Sequence, residues 1–392
     1  MFSDGVDLPA PRFELVISAE GLERWRNGWD ALATASGLPY CSPDWMMSWW
    51  QNAAPQGAEL RVAIAAAGDE LLGVAPFFLH YGRGDLTIYR LLGSGKSMPM
   101  EILARRGWER RLAPAFARLL REGWPRPDVV SFDGISATSP WPDMLRREWP
   151  MSPEPWMHRD VSRPSPTVDV GGKSYDEWFG SKTSNFRQQM RRAQRQLAKR
   201  GAVTRLVTDV DELKPKLDEF ARLHHLRWVS RGGSNALNRR IEAMLLDAGR
   251  RMMDSQRFQL WTIEVDGKDI SSHLFIRAGG ELSYWLGGFD DEWASTHPAM
   301  VTILAAIEHA CNTGVQRVNL GAGGRPYKYR FSDGADTLDW ITMAPHKPRY
   351  PVTRLQLFPR QVGHAIAKHL SPETKLRVKS ALSSRRRPSS SA

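Results

Sequence analysis

A chain of 392 residues, 42% of them apolar, is too long for one ordinary core and suits two. Its net charge of +11 points to an anionic partner without choosing among a phosphorylated cofactor, RNA and a membrane surface, and part of that charge sits in the C-terminal tail. Two distant cysteines, Cys41 and Cys311, exclude a disulfide framework and a cysteine-rich metal site, and the ten histidines show no His-Glu-x-x-His spacing, so no metal is expected.

Residues 1–11 lack the basic-then-apolar order of a signal peptide, and no apolar run nears the roughly 18 residues that span a bilayer. A cytoplasmic protein is expected. Residues 13–17 read as a strand and 19–35 as a helix. Ser42-Pro43-Asp44 opens a short helix over 45–52, with serine as cap. Its Trp45, Trp49 and Trp50 form either one buried face or part of a substrate groove. Residues 60–67 and 71–80 make a hairpin about Gly68-Asp69, 86–92 a further strand, 108–122 an amphipathic helix and 128–132 a strand. Residues 136–166 carry seven prolines and three tryptophans, and read as a packed interdomain connection.

Thr183 or Ser184 caps a helix that runs to Arg200, with Gly201 just past its end. Phe186, Met190, Ala193 and Leu197 make its apolar stripe. Arg187, Arg191, Arg192, Arg195, Lys199 and Arg200 cover the rest, as a solvated face or as a wall for phosphate, RNA or an acidic acceptor. Helices follow at 213–230 and 236–253. Then the first half's order returns: strand 258–265, turn Asp266-Gly267, strands 270–276 and 282–289, helix 299–312, strand 315–320. Tyr89-Arg90-Leu91-Leu92-Gly93 aligns with Tyr284-Trp285-Leu286-Gly287-Gly288, which marks an internal duplication. One more strand, 337–343, precedes basic segments and an Arg/Ser tail.

Chemistry concentrates between Ile270 and Phe331. A helix beginning after Ser295-Thr296-His297-Pro298 offers amides and a positive dipole end to phosphate. This is no P-loop: Leu92-Gly93-Ser94-Gly95-Lys96-Ser97 has the wrong glycine spacing. Gly321-Ala322-Gly323-Gly324 forms an elbow from which Lys328 projects, either as a surface lysine or to hold an oxyanion or a phosphate. His273, mid-strand between polar and apolar neighbours, is either structural or a base.

These residues resemble a known family. The basic helix 184–201, the run Phe220-Ala221-Arg222-Leu223-His224-His225-Leu226-Arg227-Trp228, and the core from Ile270 through Tyr327-Lys328 are similar to the CelD/BcsL-like branch of the GNAT N-acetyltransferase superfamily. The resemblance covers roughly residues 169–333. It implies an α+β fold of two tandem GNAT-like domains, each a mixed central sheet flanked by helices, as in the FemABX peptidyltransferases. The expected divisions are a degenerate domain at 1–135, the connection at 136–166, the acyltransferase domain at 167–345, a basic helical segment at 346–382 and the tail at 383–392. The resemblance also implies an acyl-CoA donor, most simply acetyl-CoA, with its pyrophosphate at the helix start spanning Ser295, Thr296, His297, Pro298, Ala299 and Met300. Two positions depart from the pattern: Ala299 stands where the family usually has glycine, and Asn319 where it usually has aspartate.

The expected reaction is attack of an acceptor amine on the thioester. Backbone amides near Gly287 and Gly288, with Lys328, would hold the oxyanion. His273 is the first choice of base and Asp290 the second. Tyr327 or Tyr284 would protonate the thiolate. Arg187, Arg191, Trp228, Arg231 and Trp285 are candidates for holding the acceptor, an aminosugar or an envelope or polysaccharide precursor. The N-terminal half, without a Tyr-Lys ending, is expected to shape the acceptor groove. Two alternatives stand beside this reading: a FemABX-like enzyme using aminoacyl-tRNA, the one nucleic acid expected, and a non-enzymatic protein binding RNA or a membrane surface. A peripheral contact with the inner face of the membrane through the basic C-terminal segment is a further expectation.

Overall fold

The computed structural model describes residues 9–227, 234 and 236–358, together with the backbone of 228 and 229. Its strands are β1 (Arg12–Val16), β2 (Glu59–Ala67), β3 (Glu70–Tyr81), β4 (Thr87–Leu91), β5 (Leu103–Ala104), β6 (Val129–Ser136), β7 (Trp156–Asp169), β8 (Val203–Leu206), β9 (Phe258–Val265), β10 (Lys268–Ala278), β11 (Glu281–Phe289), β12 (Arg317–Asn319) and β13 (Gly334–Ala344). Its helices are α1 (Glu20–Glu23), α2 (Arg26–Ser36), α3 (Pro43–Ala53), α4 (Glu109–Glu122), α5 (Trp141–Arg147), α6 (Tyr175–Gly180), α7 (Ser184–Ala198), α8 (Val210–Val229), α9 (Arg239–Met252), α10 (Pro298–Asn312) and α11 (Pro326–Tyr329).

All strands join one mixed sheet in the order β1-β2-β3-β4-β6-β13-β7-β12-β11-β10-β9-β8, with β5 alongside β3. The duplication is visible in it. Each half runs as an antiparallel meander, β1–β4 or β8–β11, then a helix, α4 or α10, that returns to a strand parallel to the fourth. The final strands are exchanged. β7, from the first half, pairs with β12 of the second, and β13 pairs with β6 of the first. β7 and β13 also pair with each other along their length, so backbone hydrogen bonds run unbroken through the junction.

Local chemistry explains the strongest elements. Asp266 and Gly267 both adopt positive φ, 49° and 76°, the hairpin geometry whose twist matches the flanking strands β9 and β10. On α7, Thr183 accepts from Phe186 N–H, while Phe186, Met190, Ala193 and Leu197 are buried at helical spacing. Residues 136–166 are not a connection of irregular chain: they form α5 and most of β7. Pro164 and Pro166 are tolerated because their flank faces the 320–323 elbow, where their carbonyls accept from Gly323 N–H and Leu320 N–H. The span 19–35 breaks into α1 and α2, and Ser42 does not cap α3; its hydroxyl donates back to Pro39 O.

Two main cores result. One joins the halves, with α2, α3, α4, α8 and α9 packed on the sheet and Trp29 and Trp45 fully buried. The other lies under α6, α7 and α10 in the second half. No helix among the described residues is long and apolar enough to cross a membrane.

Candidate active site

Two features far apart in sequence meet across a cleft. β11 ends at Asp290, whose carboxylate accepts from Glu292 N–H and starts a tight turn over Asp291–Thr296. His297 then takes a left-handed φ of 49°, and Pro298 is the first residue of α10. Opposite lies α7. The cleft between them has a volume of about 460 Å³ and is lined by Gln189, Arg192, Gln196, Lys199 and Arg200 on one side and by Ser295, Thr296 and His297 on the other. Gln189 Nε2 sits 2.7 Å from His297 Nε2 and ties the walls together. Arg187, Arg191, Arg192, Arg195, Lys199 and Arg200 have no ion-pair partner among the described residues, although ion pairs are frequent elsewhere in the chain. A helix start and a row of unpaired cations together suit a phosphate-bearing ligand. The amide supply is narrower than the sequence suggests. Met300 N–H and Val301 N–H are both given to His297 O, which leaves Ala299 N–H as the amide at the helix opening.

The sheet beside α10 has a gap. β11 and β12 run parallel for three pairs, Glu281 with Arg317 through Ser283 with Asn319, and then part. The parting has two local causes. Trp285 is bulged out of the β10–β11 ladder between Leu286 and Tyr284. Beyond Asn319 the chain bends through Gly321 and Gly323, at φ of 77° and 103°. A Cβ at Gly321 would lie 3.0 Å from Tyr284 O, so glycine permits the close approach. Asp290 N–H is given to Ile270 O; by strand alternation the N–H of Gly287 points away from β10, toward the gap.

Tyr284 and Tyr327 stand at this gap with their hydroxyls in contact, and burial raises both phenols above the ordinary tyrosine pKa, so both stay protonated. The Arg227 guanidinium lies 4.5 Å from the centre of the Phe289 ring and acts on both phenols. Arg227 was carried only as part of a motif in the sequence; its position over β11 comes from the packing of α8. Arg192, Lys199 and Arg200 were likewise legible only as members of a basic helix.

The structure places the other expected site residues as follows. His273 is buried, neither ring nitrogen has a hydrogen-bond partner among the described residues, and burial pushes its pKa down to about 3, so its imidazole is neutral, packs against Tyr284 and is a weak proton acceptor. Asp290 is engaged as a turn cap and stands 3.7 Å from Lys268 Nζ. Gly288 serves packing: a Cβ there would lie 2.4 Å from His224 N in α8. Lys328 does not project from a strand. Pro326 starts a helical turn, and Lys328 Nζ is buried, donating to Gly321 O and Ala322 O at 2.8 and 3.2 Å. Its desolvation lowers its pKa to about 8. Arg187 and Arg191 face a second groove with Ser184, Gln188 and Arg195, apart from the residues that line the cleft. Trp285 contacts the first half through Lys96 O and the Trp45 ring. Arg231 and the side chain of Trp228 lie outside the described residues. Among the described residues no group of His, Cys, Asp and Glu is arranged to hold a metal.

No curated protein is significantly similar to the chain in sequence. Three solved structures resemble it over most of its length. FemX has a TM-score of 0.59 at 11% identity, covering 83% of this chain and 98% of its own. A conserved protein of unknown function from Bacteroides thetaiotaomicron has a TM-score of 0.54 at 11% identity, covering 85% and 100%. The C-terminal domain of a provisionally named lysylphosphatidylglycerol synthetase from Agrobacterium fabrum has a TM-score of 0.52 at 12% identity, covering 87% and 95%. At such identities the likeness is one of fold. The family model for an acetyltransferase (GNAT) domain matches residues 184–329, which span α7, α10, both sides of the gap and the Lys328 turn. The chain thus shares its fold with FemX, and residues 184–329 of its second half match the model of an acetyltransferase (GNAT) domain.

Proposed function

We propose that the protein is an acyl-CoA-dependent N-acyltransferase of the CelD/BcsL-like branch, most simply an acetyltransferase, acting in the cytoplasm on an amine of a small or envelope-precursor acceptor such as an aminosugar. The observation that carries this reading is the cleft between α7 and α10, where Arg192, Lys199 and Arg200 have no carboxylate partner among the described residues and face a helix start. These residues would hold the phosphates of CoA, and the thioester arm would run into the gap between β11 and β12. Gly287 N–H would meet the carbonyl oxygen of the thioester. The amine nitrogen forms the new C–N bond, the C–S bond breaks, and the amine proton leaves to solvent. Tyr327 or Tyr284, kept protonated by burial, would give the thiolate its proton. Lys328 would support this chemistry by fixing the elbow that forms one wall.

The first half would shape the acceptor side, since its loop at Lys96 is bonded to Trp285 beside the gap. A titration of thermal stability with CoA, acetyl-CoA and a longer acyl-CoA tests the donor: native-state binding raises the melting temperature with concentration. One feature favours a second donor, aminoacyl-tRNA. Arg187, Arg191 and Arg195 form a separate row, without ion-pair partners among the described residues, suited to an RNA backbone. Absence of any CoA shift, with salt-sensitive binding of bulk tRNA, would move the assignment there.

A further inference from the structure

Ten large apolar side chains are exposed among the described residues, and five of them, Tyr81, Trp124, Val352, Leu355 and Phe358, belong to segments at one end of the first half's sheet. Their backbones are tied together there. Tyr81 is the last residue of β3 and pairs with Thr87 at the start of β4. Thr87 Oγ1 and Lys347 Nζ both donate to Arg126 O, two residues past Trp124. Arg349 donates to Gly84 O, and Lys347 is ion-paired with Asp128. Residues 350–358 form a helical segment whose Thr353 and Leu357 are buried against this end, with Leu357 packed on Val129 and Ala344. Its other side presents Val352, Leu355 and Phe358 at three-residue spacing, exposed by 46%, 73% and 60%. Trp124 is 81% exposed.

Charge says what such a surface suits. Exposed Arg83, Arg126 and Arg349 flank the apolar side chains, and none has an ion-pair partner among the described residues; the exposed acids nearby are Asp85, Glu122 and Glu59, the last ion-paired with Arg61. Beyond Phe358 the sequence carries eight further Lys and Arg, at 360, 368, 375, 377, 379 and 385–387, against one acid, Glu373. An interfacial binding element combines a solvent-facing apolar row, aromatic side chains and excess basic charge. A partner protein of ordinary composition would not call for this excess of basic charge, most of it in the sequence beyond Phe358. We infer that this end of the molecule docks on an anionic lipid surface, with Leu355, Phe358 and Trp124 entering the headgroup boundary and the arginines held at its charge. The inference is independent of the acyl donor. It gives the expected membrane contact a folded element, where composition alone pointed to the basic tail.

The test is co-sedimentation of the full chain with vesicles of phosphatidylcholine alone and of phosphatidylcholine with about a third phosphatidylglycerol. Binding to the anionic vesicles and not to the neutral ones is expected. The full-length L355S/F358S variant should keep the native melting temperature, because both side chains are already in solvent, and should partition roughly tenfold less. Failure of the full chain to bind anionic vesicles overturns the inference. So does unchanged binding by the variant, which would leave the tail as a purely electrostatic tether. A wild-type dimer that the variant converts to monomer also overturns it, by making a second copy the occupant.

Discussion

Trp285 Nε1 donates to Lys96 O at 2.8 Å, so the residue bulged from β11 beside the gap is fixed by a backbone carbonyl of the other half. Its ring also meets Trp45 edge-on at 5.9 Å and lies 6.4 Å from Phe220. Replacing Trp285 with phenylalanine keeps an aromatic ring in place and removes this donor from Lys96 O, at a cost of about 1–2 kcal/mol. Urea denaturation should show that loss. In turnover assays W285F should raise the acceptor KM more than it changes the donor KM; the reverse pattern would remove the first half from acceptor binding.

Gly288 and α8 make a sharper stability test. A Cβ at 288 meets backbone atoms of Leu223 and His224 at 2.4–2.7 Å, and a helix backbone cannot swing aside like a side chain. G288A should therefore cost at least about 1–3 kcal/mol. Gly180, the last residue of α6, has open space at its Cβ position, so G180A should be neutral or slightly stabilising. Thermal melts of the two variants check the contrast, and equal melting temperatures would refute the packing argument.

The repeat of strands and helices was legible because its hairpins carry their own punctuation, Gly68-Asp69 and Asp266-Gly267, between apolar runs. β7 was hidden by Pro164 and Pro166, which are harmless only because of what their flank faces in the folded sheet. β8 is four residues at the sheet edge, half exposed, with no apolar alternation to read. The exchange of β7 and β13 depends on pairings across more than a hundred residues, which no local pattern encodes. At the site, the sequence identified α7 and the start of α10 separately. Their meeting through Gln189 and His297 is a tertiary fact. His273 looked polar because it follows two serines, whereas the fold buries both its neighbours and its ring.

That burial has a pH signature. The folded pKa of His273, about 3, lies below the unfolded value of 6.5, and His224, at about 4, behaves in the same sense. Between those limits the unfolded chain binds protons that the folded chain does not. Stability is therefore lost as pH falls from about 6.5 toward 3–4, by roughly 1.4 kcal/mol per pH unit for each histidine. Chemical denaturation at stepped pH should show this slope. The H273F variant should lose the His273 share and become less acid-labile; an unchanged slope would mean that the ring is solvated or protonated in the folded state.

Lys328 provides the opposite end of the pH range. Its folded pKa of about 8 lies below the 10.5 of the unfolded chain, so stability should rise as pH climbs from about 8 to 10.5. In K328M the rise should flatten. The same variant leaves Gly321 O and Ala322 O without their donor, at a cost of about 1–3 kcal/mol near neutrality. If Lys328 only shapes the elbow, K328R should restore much of the activity that K328M loses. If the ammonium itself contacts the reacting carbonyl, K328R should stay low in kcat while recovering stability.

The cleft itself is tested by moving charge between the two faces of α7. Arg192 and Arg200 line the wall opposite Ser295-Thr296-His297, whereas Arg187 and Arg191 line the other groove. Arg191, Arg192 and Arg200 are exposed and Arg187 is half-buried, and the two pairs contribute the same net charge, so a general electrostatic effect would treat the pairs alike. Specific phosphate contact would not: each charge-assisted bond lost should weaken CoA binding about tenfold. The R192A/R200A variant should therefore lose most of the CoA-induced rise in melting temperature, with R187A/R191A close to wild type. Equal losses would reduce the cleft to a diffuse positive field. A loss confined to R187A/R191A would place the donor in the other groove, where an RNA backbone is the better match.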